Sequence, residues 1–433
     1  MLRVSRSWRR IDRFSFLLSL PILLFAGCTN IVNAPTEHPY KIQPLYSVDD
    51  PQFARTMGSL LGPALVGGNS VVTLVNGDRI FPAMLDAIGA AKKTITFETY
   101  VYWSGDVGAA FTEALSEKAR EGVKVHAIID PIGSDRIDHQ YLQTMKDAGV
   151  EFVLYHGLRW YDLSSTQRLN NRTHRKLLVV DGEVGFTGGV GIADEWKGDA
   201  QDDKHWRDTH YMLRGPAVAQ LQAAFVDNWM ETTGHVLHGE EYFPHLPEAG
   251  GLYAQVFKSS SSGGSESMEL MYLLSIAAAR NNIRLASAYF VPDKLTTQAL
   301  VDARKRGVIV QIIVPGPKID MQVVRGASRA RWGELLKAGV ELYEYMPTMY
   351  HVKQMVVDDA WVSIGSANLD NRSFRLNDEA NLNVLDRAFA AEQIKVFDAD
   401  LPRCRRITYE RWKKRPVGDQ VWDSFLSLFA PLM

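Results

Sequence analysis

The chain has 433 residues, 46% hydrophobic and 23% charged, with a formal net charge of −2. That length calls for two or three domains, with cores large enough to need neither disulfide nor metal staples. Five arginines against one aspartate in residues 1–27 leave a formal −6 on the remainder, which disfavours a dedicated nucleic-acid binder, since that function needs a broad basic face.

The N-terminus reads as a targeting segment. Arg3, Arg6, Arg9, Arg10 and Arg13 precede an apolar stretch, Phe14 to Phe25, too short for a comfortable membrane span and of signal-peptide proportions. Ala26-Gly27-Cys28 resembles a bacterial lipobox, so residues 1–28 are predicted to be a signal peptide and Cys28 a lipidation site. The expected location is the bacterial cell envelope, as a membrane-attached lipoprotein facing the periplasm. Residues 29–67, with Pro35, Pro39, Pro44, Pro51 and Pro63, are predicted to be a tether. Cys28 and Cys404 are the only cysteines; no disulfide framework follows, and Cys404 reads as structural or inert.

The body is duplicated. Residues 86–130 run helix, strand (Thr94 onward), helix and strand (Val123 to Asp130), and residues 275–314 run through the same series. Each copy adds a further helix and strand, then an extended segment led by histidine. So long a period means duplication of a whole domain. Alternating strands and helices predict α/β halves with helices on a mostly parallel sheet. Two α/β/α sandwich halves should then pack about a pseudo-twofold axis around one shared site. The expected units are 68–250 and 251–400, with a loop-forming linker at Lys258–Ser267 and a tail at 401–433.

Both copies carry histidine, any residue, lysine, four residues, aspartate: HRKLLVVD at His174–Asp181 and HVKQMVVD at His351–Asp358. Gly188-Gly189 and Gly365-Ser366 follow at the same offset. One such octapeptide arises by chance; two at matching points of a duplicated chain do not. Residues two apart on a strand share a face, so His174 and Lys176 point together, as do His351 and Lys353. Asp181 and Asp358 have the opposite parity, sit at turns and are predicted to anchor backbone. Two imidazoles and two ammonium groups brought together make an anion site with a nucleophile, suited to a phosphodiester. Histidine serves as attacker or acid because its ordinary pKa is near neutrality.

This constellation resembles the phospholipase D superfamily over about residues 68 to 400, and within it bacterial cardiolipin synthases. Supporting stretches are Phe97–Trp103, Trp206–His210 and Gly365–Ser373. The resemblance implies condensation of two phosphatidylglycerols to cardiolipin and glycerol, without metal or cofactor. It implies that His174 takes the phosphatidyl group and that His351 acts as acid, then base. Glu379 and Asp208 would each orient the histidine of the opposite half, and Ser366, Asn368 and Gly189 would help bind phosphate. Gly191 stands where the family has asparagine, which loses a side-chain donor on the first side and leaves room for a backbone amide or a water.

Other features have two readings. Glu98, Tyr100 and Tyr102 alternate on one strand face and either line the site or occupy a polar sheet surface. Asp202, Asp203, His205, Asp208 and His210 are spaced too irregularly for metal ligands. At the C-terminus, Arg403, Arg405, Arg406, Arg411, Lys413, Lys414 and Arg415 precede Val421, Trp422, Phe425, Leu426, Leu428, Phe429 and Leu432. This basic, amphipathic tail either holds the enzyme on an anionic bilayer or packs against its own body. The sequence sets no oligomeric state. The alternatives to cardiolipin synthesis are phospholipid hydrolysis with water as acceptor and cleavage of a nucleic-acid phosphodiester; charge and the predicted lipid attachment favour a phospholipid substrate over nucleic acid.

Overall fold

The computed structural model describes residues 40–156, 170–260 and 267–432. The predicted signal peptide, Cys28 and part of the Lys258–Ser267 linker lie outside them.

Residues 40–61 are not a tether. Asp50 caps the helix α1 (Pro51–Thr56) by accepting from Gln52 N at 2.8 Å, with Pro51 in the first turn, where its missing N–H costs nothing. Val48, Phe53, Met57 and Leu61 are all buried in a core otherwise built from the second copy. Their burial outweighs the chain-stiffening prolines on which the tether reading rested.

The first copy runs β1 (Val66–Val75), α2 (Gly77–Gly89), β2 (Thr94–Thr99), α3 (Asp106–Arg120), β3 (Lys124–Ile129), α4 (His139–Ala148), β4 (Glu151–Leu154), β5 (Arg172–Thr173), β6 (Leu177–Val180), β7 (Val184–Gly188), β8 (Thr209–Arg214) and α5 (Val218–Thr233). The second runs β9 (Leu252–Ser259), α6 (Met268–Ala278), β10 (Asn282–Ser287), α7 (Lys294–Lys305), β11 (Ile309–Pro315), α8 (Gln322–Lys337), β12 (Glu341–Tyr345), β13 (Lys353–Val357), β14 (Trp361–Gly365), α9 (Asn371–Arg375), β15 (Asn377–Leu385), α10 (Arg387–Asp400) and β16 (Cys404–Ile407). α11 (Tyr409–Lys413) and α12 (Val417–Leu426) follow.

All these strands join one mixed sheet. Its order is β16-β12-β11-β10-β13-β14-β15-β9-β1-β8-β7-β6-β2-β3-β4, with β5 pairing on β15. Each half therefore repeats one arrangement outward from the central antiparallel pair β1–β9. Among the described strands, parallel pairing is limited to β2-β3-β4, β10-β11-β12 and the short β5–β15 contact, so the expectation of a mostly parallel sheet is corrected. Helical crossovers force the parallel trios, whereas the tight turns after each motif aspartate force antiparallel hairpins.

Among the described residues, the three largest apolar cores hold most of the sheet. One packs α2 and α3 on the first half and one packs α6 and its neighbours on the second. The third joins residues of both: Leu177, Val179, Leu213, Leu221 and Phe225 with Val256, Val356, Ile364, Leu382 and Val384. That shared core fixes the halves against each other. Among the described residues, no helix is long and apolar enough to cross a membrane.

Candidate active site

Each histidine motif is placed by its aspartate. Asp181 accepts from the backbone N–H of Lys92, Lys93 and Thr94. Asp358 accepts from Arg280, Asn281 and Asn282 in the same way. Both aspartates have positive φ, 54° and 50°, in the left-handed turn that closes each hairpin. Each clamps the start of β2 or β10 and so sets the register of the adjoining motif strand.

His174 and Lys176 lie in the extended segment leading into β6, and His351 leads into β13. The alternation places Arg175 on the opposite side, fully buried, where it donates to the carbonyls of Ala224 (2.7 Å) and Ser259 (3.0 Å). His174 N donates to the carbonyl of Asp378 at 2.9 Å, across the two halves. Likewise His351 N donates to Arg207 O at 2.8 Å, again across the halves.

The side chains cross too. His174 Nδ1 is 2.9 and 3.0 Å from the two Glu379 oxygens, and His351 Nδ1 is 2.7 Å from Asp208 Oδ2. Glu379 also accepts from Ser366 Oγ (2.5 Å) and Ser373 Oγ (2.8 Å). Asp208 accepts from Trp196 Nε1 (2.8 Å) and Thr209 N (2.8 Å). Burial opposes ionisation of both carboxyls, but their histidine partners, the lysines and these donors more than offset it, and both are held below the usual range. An ionised carboxylate is acceptor-only, so each imidazole donates from Nδ1 and keeps its lone pair on Nε2. Burial pushes His174 down to about 4 and His351 down to about 3, the lysines adding to the effect against the carboxylates. Both imidazoles are therefore neutral at physiological pH.

The lysines occupy equivalent places. Lys176 Nζ donates to His174 O and Lys353 Nζ to His351 O, each at 2.7 Å. Lys353 Nζ also lies 3.1 Å from His351 Nε2. Burial, only partly offset by Glu379 and Asp208, pushes Lys176 down to about 7 and Lys353 to about 8. Each lysine also depresses the histidine of the other half. The six groups thus form one electrostatic cluster with both imidazole Nε2 atoms uncommitted to a carboxylate. It suits attack on phosphorus by one imidazole and proton transfer by the other.

Sequence comparison decides the family. The family described as "Cardiolipin synthase, PLD-like domain" matches residues 84–201 and 272–401. Cardiolipin synthase 2 of Bacillus anthracis is 36% identical over 363 residues, 83% of this chain and 70% of that protein. The chain belongs to the cardiolipin synthase family. The major cardiolipin synthase of Bacillus subtilis is 35% identical to it over 84% of this chain and 76% of its own length. The fold is also that of phosphatidylserine synthase from Haemophilus influenzae, at 15% identity and a TM-score of 0.67 over 88% of this chain and 97% of that one.

In this cardiolipin synthase family member the halves differ where phosphate-binding residues were expected. Ser366 gives its hydroxyl to Glu379 rather than facing an open site. Asn368 Oδ1 accepts from Tyr289 N at 3.3 Å, which leaves its amide NH₂ as the donor. Gly189 has no room for a side chain: a Cβ would lie 2.2 Å from Asp208 Oδ1. At Gly191 a Cβ would lie 2.7 Å from that of Val101 and 3.2 Å from the Trp196 ring. Val101 and the Trp196 ring close the space beside Gly191, and the Trp196 indole N–H donates to Asp208 where the Ser366 hydroxyl donates to Glu379 in the other half.

Trp196 was not singled out by sequence reasoning; the glycine at 191 was the available signal. Rings of Trp196, Trp206 and Tyr289 surround His351 at 5.3, 5.6 and 6.4 Å, whereas Tyr100 flanks His174 at 5.3 Å. The alternating trio divides. Tyr100 lines the site, while Glu98, fully buried, braces Thr173 and Asn228 behind His174, and Tyr102 bonds Thr112 in the core. Of the acidic and histidine cluster, only Asp208 meets a motif histidine. Asp202 pairs with His205 and Asp203 with Lys318, while His210 is buried. Among the described residues, no group of three or more His, Cys, Asp or Glu is arranged to hold a metal. The Cys404 thiol sits against Asp400 O, and burial pushes it up to about 12, as befits an inert thiol.

Proposed function

We propose that this chain makes cardiolipin from phosphatidylglycerol through a phosphohistidine. His174 Nε2 attacks phosphorus, the bond to the glycerol oxygen breaks, and His351 supplies the proton that oxygen takes. A second phosphatidylglycerol then gives a hydroxyl proton to His351. Its oxygen displaces His174, forming cardiolipin and returning the site to its starting state. Lys176 and Lys353 balance charge on the phosphoryl oxygens. The empty site keeps His351 neutral; the incoming phosphate anion raises its proton affinity, so Nε2 takes up a proton from solvent on substrate binding and releases it when cardiolipin departs.

The crossed His174–Glu379 and His351–Asp208 pairs carry this reading, because each half supplies what the other's imidazole needs. Two different histidine settings accompany this division of labour: His351 lies among the rings of Trp196, Trp206 and Tyr289, while His174 faces a carboxylate that accepts from two hydroxyls. The cardiolipin synthase relatives support a phospholipid as substrate. The enzyme would act at the membrane of the cell envelope, attached through lipidated Cys28, with residues 68–250 and 251–400 as its two phospholipase D-like units.

The test is mass spectrometry of lipids after incubation with phosphatidylglycerol vesicles. Cardiolipin and glycerol in equal amounts are expected. Phosphatidic acid alone would make the chain a hydrolase, and cleavage of nucleic acid without a lipid product would overturn both readings.

A further inference from the structure

Of the two readings of the amphipathic tail, packing against the body accounts for one of its faces. On its inner face, the fully buried Asp423 pairs with Arg329 (2.6 Å) and Arg415 (3.4 Å). Leu426 presses on Gly326 of α8, where a Cβ would lie 2.4 Å from its Cδ1, and Trp412 of α11 presses on Gly333 of the same helix in the same way. Small residues seven apart on one face of α8 thus make the trough that seats both C-terminal helices. The chain then continues to Ala430, which is buried with Ala288, Val291 and Met349 against Trp206 and Tyr289, two of the rings around His351.

The outer face is apolar and uncovered. Val417, Val421, Trp422, Phe425 and Leu428 are each between 47% and 75% exposed, and Trp422 stacks on Phe425 at 5.5 Å. Val417, Val421 and Phe425 fall at spacings of four, one stripe along α12, and the exposed Leu428 follows in the 3-10 turn after it. This stripe cannot be buried by rolling the helix, because rolling would break the buried Asp423 ion pairs. Isolated exposed apolar residues are ordinary; a stripe of them with Trp422 stacked beside it on Phe425 marks an interaction surface. Arg411, Lys413 and Lys414, all exposed, precede it. Cations beside an apolar stripe with tryptophan match an anionic bilayer, with the rings among the acyl chains and the ammonium groups at the phosphates.

We propose that α12 lies in the surface of an anionic membrane and docks the catalytic body on it, with the mouth of the site beside the bilayer. This rests on the reading of the substrate as a phospholipid, and it adds a second contact independent of Cys28. The occupant is the lipid surface rather than another protein, since three exposed cations precede the stripe in the chain and the tail reaches the wall of the site through Ala430.

The test uses the full chain with an environment-sensitive fluorophore on Val421→Cys; the unsubstituted chain serves as the labelling control. Vesicles containing phosphatidylglycerol should shift the label's emission to the blue, and vesicles of phosphatidylcholine alone should do so far less. The paired variant Val421→Glu with Phe425→Glu should lose about tenfold or more of its turnover on vesicles. The same variant should match the parent on monomeric short-chain phosphatidylglycerol, which shows that it is folded. An emission unmoved by vesicles would overturn the proposal. So would a shift produced by raising protein concentration without lipid, which would assign the stripe to a second copy of the chain. If vesicles move the label but no phosphatidyl group is transferred, docking stands and the proposed reaction falls.

Discussion

Asp208 and His351 lie 143 residues apart, in opposite halves, and meet with 2.7 Å between Oδ2 and Nδ1. The carboxylate sets which imidazole nitrogen carries the proton. Asp208→Asn keeps the shape but lets the amide favour the wrong tautomer. A loss of about 10²- to 10⁴-fold in kcat with little change in KM is expected, by analogy with the carboxylate of hydrolytic triads. Glu379→Gln should slow the first step by a similar factor, read as a smaller burst of glycerol in rapid-quench kinetics. Loss of affinity with kcat intact in either variant would contradict the orienting role.

His174→Ala should abolish turnover and adduct together. His351→Ala should lack the base that activates the second alcohol, so an adduct on His174, once formed, persists long enough for peptide mass spectrometry after an alkaline quench. Modification found on His351 and never on His174 would reverse the assignment.

The lysines set an alkaline limit. Burial holds Lys176 near 7 and Lys353 near 8 in the free protein, so the cationic form that binds a phosphodiester exists below these values and is lost above them. A plot of log kcat/KM against pH should fall on the alkaline side with apparent pKa values of about 7 to 8. In kcat the limb should move to higher pH, because bound phosphate stabilises the ammonium. Activity should also fall below about 4, where His174 takes up a proton. A flat profile between 6 and 9 would show that these ammonium groups do not carry the anion.

Gly189→Ser would bring the first half closer to Gly365-Ser366, yet it should inactivate. Its Cβ would fall 2.2 Å from Asp208 Oδ1 and 2.8 Å from Cγ, a contact relieved only by moving the carboxylate away from His351. A loss of about 10²-fold in kcat is expected, the size typical of displaced catalytic geometry. Full activity in this variant would show that Asp208 has room that the packing denies it.

Asp358→Ala should act on stability. Three backbone N–H groups lose their acceptor, which at ordinary hydrogen-bond values costs about 2–4 kcal/mol. Urea denaturation should show a lower midpoint at unchanged slope. A stable but inactive variant would move Asp358 from scaffold to chemistry.

Strand parity was enough to separate His174 and Lys176 from Arg175, and a tight-turn signature was enough to place Asp181 at a hairpin. The crossing of carboxylates was different. Glu379 is 205 residues from His174, and no local pattern encodes a contact of that separation; family resemblance suggested it. The antiparallel strands were legible in the Asp181-Gly182 turn, but the helix–strand alternation was weighted over it. Asp50-Pro51 followed by Phe53 and Met57 was likewise a helix start overlooked among prolines. Gly191 signalled a departure from the family pattern, but that the Trp196 ring packs beside it is known only once the backbone there is placed.

The asymmetry around the two imidazoles depends on both halves sharing one chain. In a pair of identical subunits, a residue that suits one histidine is imposed on the other as well. Here Gly189, Gly191 and Trp196 serve His351 alone, while Ser366 and Ser373 brace only the carboxylate facing His174. Fusion gives each side its own genetic address, so departure of the first alcohol and arrival of the second can be tuned by separate mutations.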